Sequence, residues 1–266
     1  VQKGWTADWH APVVAETYDG ALNDINGFHV TREHAFEAMR NATSGPVTEG
    51  AVGGGTGMVC NGFKGGIGTA SRQISVGDKR YTVGVLVQCN YNWGGEDLRL
   101  GGRRVSTLLP VDEHCFTDPA IERHVDWYPY CDESGASTIS ERTRDGPIIV
   151  VVGTDAPLLP HQLGRVAKRP SLALGRLGAI STDGSGDIFV AFSTANSGHI
   201  DESGFADVEL YPNYELRTVF EATVQATEEA IVNAMVGADT VVGASGFRVN
   251  EMPEELVRAL FADGDP

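Results

Sequence analysis

The sequence predicts a mixed α/β fold in which helices pack on a sheet. Two kinds of pattern carry this. Residues 81–88 (Tyr-Thr-Val-Gly-Val-Leu-Val-Gln) and 148–152 (Ile-Ile-Val-Val-Val) are short, β-branched, apolar runs of the sort that form buried strands. Between about 215 and 235, Val219, Phe220, Thr223, Val224, Ala230, Ile231, Ala234 and Met235 recur at helical spacing, and Gly237 stops the pattern. Strands, then helices, then strands again are the order of a layered fold.

Each element has its own local reason. The apolar run Pro12-Val13-Val14-Ala15 is a candidate strand, leading to the turn-prone Tyr18-Asp19-Gly20. Thr31 is a helix N-cap, with Glu33 and His34 in the first turn and Ala35, Phe36, Ala38 and Met39 as the apolar positions. The 33 glycines cluster, most densely in 50–72, where turns and close backbone approach explain them better than phosphate binding. That tract lacks the Gly-Lys-Ser/Thr ending of a phosphate loop. Residues 92–146 are polar, mixed in charge and broken by Pro110, Pro119 and Pro129, so they read as a long excursion or processing loop. Residues 158–174 read as one helix with His161, Arg165, Lys168 and Arg169 on its polar side, 187–193 as a strand and 253–261 as a short closing helix.

Composition narrows the partners. The formal net charge is −16, which repels phosphate backbones and anionic lipid, so no nucleic acid and no membrane partner is expected. No run of about 18 apolar residues is present for a membrane span. Cys60, Cys89, Cys115 and Cys131 show neither a CxxC nor a metal spacing and read as reduced, mostly buried thiols, with a disulfide framework as the alternative. The sequence begins at Val1 with no apolar signal segment, which leaves the compartment open between cytoplasm and periplasm.

Four places carry candidate chemistry. Ser185, between Gly184 and Gly186 and two residues before Asp187, suits a site where backbone approaches a substrate, or it is simply a turn. Asn90, just past a strand, presents an amide to a developing oxyanion, or forms a turn. Cys89 is either a nucleophile without a visible base or a buried thiol. Asp155 and His161 are either an acid/base or metal-binding pair, or an N-cap acid and a first-turn histidine.

Read together, longer motifs emerge. They are Val-Val-Ala-Glu-Thr-Tyr-Asp-Gly-x-Leu-Asn-Asp-Ile-Asn-Gly at 13–27 and Glu-Gly-x-Val-Gly-Gly-Gly-Thr-Gly-Met at 49–58. Gly-Val-Leu-Val-Gln-x-Asn-Tyr follows at 84–91, and Thr-Asp-Ala-Pro-Leu-Leu-Pro-His-Gln-Leu at 154–163. Gly-Ser-Gly-Asp-Ile at 184–188 and Ala-Phe-Ser-Thr-Ala-Asn at 191–196 complete the set. In this order they resemble the DmpA/BapA family of N-terminal-nucleophile aminopeptidases over nearly the whole chain apart from 92–145.

The resemblance implies a four-layer αββα sandwich of the Ntn-hydrolase-like type, with a precursor segment ahead of Val13 that this sequence lacks. It divides one structural domain into 1–146, the end of a large subunit region, and 147–266, a small subunit region. It implies self-cleavage before a serine whose hydroxyl then attacks small peptide, amide or ester substrates, with no cofactor and no metal, in a homotetramer. The oxyanion donors would be Tyr18 and Asn90, and Ser185 and Asp187 would orient the nucleophile and an amine. At the junction Gly146-Pro147-Ile148, however, this sequence has proline in place of that serine. Proline has no hydroxyl and restricts the residue before it, so the expectations divide between a hydrolase and a catalytically silent homologue that binds short peptides or only assembles.

Overall fold

The computed structural model describes residues 13–107, 113–123, 128–131, 146–196 and 207–261. In chain order these form α1 (Arg32–Asn41), β1 (Val59–Cys60), β2 (Phe63–Lys64), β3 (Ile67–Val76) and β4 (Lys79–Cys89). The short strands β5 (Arg99–Leu100), β6 (Arg103–Arg104) and β7 (Cys115–Phe116) follow. Then come β8 (Ile148–Thr154), α2 (Pro160–Val166), α3 (Pro170–Arg176) and β9 (Ile188–Ser193). Last are α4 (Leu216–Val236), β10 (Val241–Val242), β11 (Phe247–Val249) and α5 (Glu254–Phe261).

The main sheet has the order β3-β4-β8-β9. Its first two pairings are antiparallel and the last is parallel, the crossover between β8 and β9 carrying α2 and α3. β3 turns into β4 through Gly77 and Asp78, with Gly77 in the left-handed region at φ 55°. Along β4 the alternation is regular: Val83, Val85, Val87 and Cys89 are buried, and the residues between them are less so.

That buried face receives α4. Ala222, Ala226, Ala230 and Ala234 repeat every fourth residue, all buried, beside Val219, Ile231 and Met235. Small side chains let the helix lie close to β3. At Gly68 a Cβ would collide with the Ala230 carbonyl, so glycine there and alanine on the helix are two halves of one contact. The opposite face carries the cross-strand row Leu86, Val151 and Val190, each half-buried. A second, smaller core gathers Leu22, Val59, Trp93, Phe116, Tyr128 and Phe247 beside the sheet β10-β11-β7.

Several sequence expectations change. Residues 13–15 form no strand. The helix expected over 158–174 is two helices, because Pro170 lacks the N–H needed inside a helix and instead opens α3. Helix α1 forms as expected, its Thr31 N–H donating to His34 Nδ1 at 2.9 Å, yet no residue of α1 is buried. The described parts of 92–146 contain β5, β6 and β7, whereas 108–112, 124–127 and 132–145 lie outside the described residues.

The four cysteines are not thiols. Cys60 pairs with Cys89 and Cys115 with Cys131, at Cα separations of 5.5 and 4.9 Å. The pairing is invisible in sequence because it is made by the fold. Cys60 ends β1 and Cys89 ends β4, and strands that meet only after pairing bring them together.

Candidate active site

Three strand ends converge beside β8. The register Cys89↔Ile148 places Asn90 and Pro147 next to each other just beyond the paired residues of β4 and β8. On the other side of β8, the register Ile149↔Ile188 brings Asp187, the residue before β9, level with Ile148. The sheet itself therefore assembles Asn90, Pro147 and Asp187.

The backbone around Pro147 is tightly constrained. Gly146 has φ 135°, and a Cβ there would collide with the Asn90 carbonyl, so only glycine fits. A Cβ on Gly186 would lie 3.5 Å from Pro147 Cβ, which puts the 184–187 turn against the proline ring. Asp187 closes the arrangement: its Oδ1 accepts the Ile148 N–H at 3.2 Å and its Oδ2 accepts the Ser181 hydroxyl at 3.2 Å. Desolvation raises the Asp187 pKa, and those two hydrogen bonds oppose the rise.

Asn90 is fully buried and its amide orientation is fixed from both ends. Oδ1 accepts the Val59 N–H at 2.8 Å, and Nδ2 donates to the Tyr18 carbonyl at 2.6 Å. One Nδ2 hydrogen is thus used, which leaves the second as a donor. Tyr18 is consequently held here by its main chain. Its half-exposed ring packs on Trp93, 6.2 Å between centroids, and its phenol folds back over Gly20.

Ser185 sits in the same turn, its N–H donating to the Thr182 carbonyl at 3.0 Å. With Tyr91, Asn92, Ser181, Thr182 and Asp187 it lines a cavity of about 20 Å³, room for one water-sized group. The hydroxyl bonded to Asp187 belongs to Ser181, which sequence reading did not single out. Nothing in its sequence context marks it; the left-handed backbone at Ser181 (φ 50°) is a feature of the folded turn.

The remaining candidates fall away from this cluster. Cys89 is in a disulfide and has no free thiol to act as a nucleophile. Asp155 follows β8 at its far end and is not a helix cap, since Leu159 occupies the N-cap position of α2 and its own N–H donates to Gln162 Oε1; the Asp155 Oδ1 accepts the Thr82 N–H at 2.6 Å instead. His161 is exposed on the first turn of α2. Among the described residues no group of three or more His, Cys, Asp or Glu side chains is placed to hold a metal, and no helix is long and apolar enough to cross a membrane.

The family model for Peptidase family S58 matches residues 2–249. The chain belongs to peptidase family S58, the DmpA/BapA family. Within the family it is similar to the beta-peptidyl aminopeptidase BapA of Sphingosinicella microcystinivorans, 49% identical over 97% of this chain and 64% of the relative. The BapA of Sphingosinicella xenopeptidilytica is 40% identical over 94% of this chain and 60% of its own length. The chain therefore spans somewhat under two thirds of the length of these relatives.

Solved structures match the fold as well. A beta-aminopeptidase from Burkholderia sp. superposes with a TM-score of 0.76 at 41% identity, covering 98% of this chain and 67% of its own. The L-aminopeptidase D-Ala-esterase/amidase from Ochrobactrum anthropi, described as a prototype for the serine aminopeptidases and a variant of the Ntn hydrolase fold, gives 0.76 at 41% identity. It covers 97% of this chain and 65% of that one. The fold is accordingly the mixed α/β, Ntn-hydrolase-like type that the sequence motifs implied.

Proposed function

We propose that this chain carries the site of an S58 aminopeptidase, built to act on the N-terminal residue of small peptides, amides or esters, with Pro147 standing where the family has its nucleophilic serine. The observation that carries the reading is the meeting of Asn90, Pro147 and Asp187 at three adjoining strand ends. In an S58 site with a serine at this position, the hydroxyl oxygen attacks the scissile carbonyl carbon. The oxyanion so formed takes the spare Nδ2 hydrogen of Asn90, and the Tyr18 phenol becomes a second donor once it swings away from Gly20. The C–N bond then breaks, the amine leaves with a proton, and water hydrolyses the remaining ester. Asp187 and Ser185 orient the attacking group and its amine.

Pro147 stops this sequence before its first step. It has no hydroxyl, so neither the N→O acyl shift that cuts the chain nor the acyl-enzyme forms there. The parent chain is therefore an uncut homologue that binds short peptides through the retained groups without turning them over. The homotetramer implied by the family is carried over on the same footing; the exposed Phe36 and Met39 of α1 suit a subunit contact, and light scattering on a sizing column tests it.

The test is an aminoacyl p-nitroanilide. The Pro147→Ser variant should release nitroaniline, while the parent and the Pro147→Ala variant should not. Turnover by the parent that Ser185→Ala abolishes would move the nucleophile to Ser185, and a folded but inactive Pro147→Ser variant would overturn the site reading.

A further inference from the structure

Lys64 is fully buried and has no role in the site described above. Its Nζ lies 3.0 Å from the Gly55 carbonyl oxygen, 2.8 Å from that of Met58 and 2.7 Å from that of Gly65. Burial lowers its pKa to about 7. The cage nevertheless fits the charged form, because a neutral amine has two N–H groups and an ammonium has three. Three carbonyls replace the lost hydration with charge-assisted hydrogen bonds.

One of those carbonyls connects Lys64 to Asn90. The peptide unit between Met58 and Val59 faces both ways: its C=O accepts from Lys64 Nζ, and its N–H donates to Asn90 Oδ1 at 2.8 Å. Nδ2 of the same amide donates onward to the Tyr18 carbonyl. A cation on the carbonyl oxygen draws electron density along the peptide and strengthens its N–H as a donor. That N–H polarises the Asn90 amide in turn, so the Nδ2 hydrogens also become stronger donors.

We propose that Lys64 is a positioning residue for Asn90, acting through the Met58–Val59 peptide to fix the direction of the amide and to strengthen its N–H donors. The catalytic consequence rests on the oxyanion role proposed for Asn90; the polarised chain does not. A lysine that merely fastened the glycine-rich turn would affect stability and leave the Asn90 amide unaltered.

The test is spectroscopic first. In the ¹⁵N-labelled full chain, the Asn90 side-chain amide protons should move upfield in Lys64→Met, while those of Asn196, beyond the opposite end of the main sheet and bonded to the Glu209 carbonyl, stay in place. If Lys64→Met does not fold, Lys64→Gln reads the same shift, since its amide keeps hydrogen bonds to the cage without the charge. Unmoved Asn90 resonances in either folded variant overturn the proposal. In the Pro147→Ser background, Lys64→Met should lower kcat about tenfold with KM little changed. If the Asn90 resonances move and kcat does not, the Lys64 proposal stands and the oxyanion role proposed for Asn90 falls. An inactive Pro147→Ser chain would count against the aminopeptidase reading alone, because the amide shift is read without turnover.

Discussion

The backbone N–H of Ile148 donates to the carboxylate of Asp187 at 3.2 Å, which ties the residue after Pro147 to the turn that opens β9. The same carboxylate receives the Ser181 hydroxyl, so one side chain joins three segments at the start of two neighbouring strands. Removing it with Asp187→Ala should cost about 1 kcal/mol for the lost hydrogen bonds. Asp187→Asn keeps an acceptor for Ile148 and should cost less. Urea unfolding of the two variants checks the order.

Gly146 is a stricter requirement. Its φ of 135° and the collision of any Cβ with the Asn90 carbonyl both exclude side chains. Gly146→Ala should destabilise the chain by about 1–3 kcal/mol and displace Asn90. A melting temperature equal to the parent's would mean that this backbone approach is looser than described.

His114 predicts an acid-sensitive core. It is buried against Tyr128 and Phe247, with Nδ1 accepting the Asn250 N–H at 3.3 Å. Burial, and next the nearby Arg248, lower its pKa from 6.5 to about 4. The unfolded chain takes up this proton below 6.5 and the folded chain only near 4, so the stability present above pH 6.5 is lost as the pH falls across that window. The contribution is about 3 kcal/mol. In His114→Phe the slope of stability against pH between 6.5 and 4 should flatten; an unaltered slope assigns the acid sensitivity to other groups.

The disulfides predict a redox response. Cys60–Cys89 closes a sequence separation of 29 beside Val59 and Asn90. Breaking it with Cys60→Ala and Cys89→Ala should cost about 3–4 kcal/mol in a chain-entropy account. A thiol reagent under denaturing, non-reducing conditions should find no free cysteine.

How much of this is legible in the sequence varies with how local the determinant is. The strand at 148–152 and the helix at 215–235 declare themselves, since burial imposes apolar side chains at fixed spacings. The strand β3 does not. Gly68, Ser71, Arg72, Gln73 and Ser75 show no clean alternation, and only pairing with β4 across ten registered residues makes them a strand. The disulfides are not legible in the sequence, because the spacing between cysteines carries no trace of which strand ends will meet. Asn90, Pro147 and Asp187 were identified by motif and are brought together by strand register. Ser181 and Lys64 were missed because their importance lies in what they touch: one carboxylate, and three backbone carbonyls.

The central claim is that the retained site is silenced at residue 147, and the most direct test is the intact mass of the purified chain under denaturing, reducing conditions, read beside the Pro147→Ser variant. The parent should give one uncut species and the variant two fragments that meet between residues 146 and 147. Fragments from the parent chain at that junction, or an uncut but folded Pro147→Ser variant, would contradict the account.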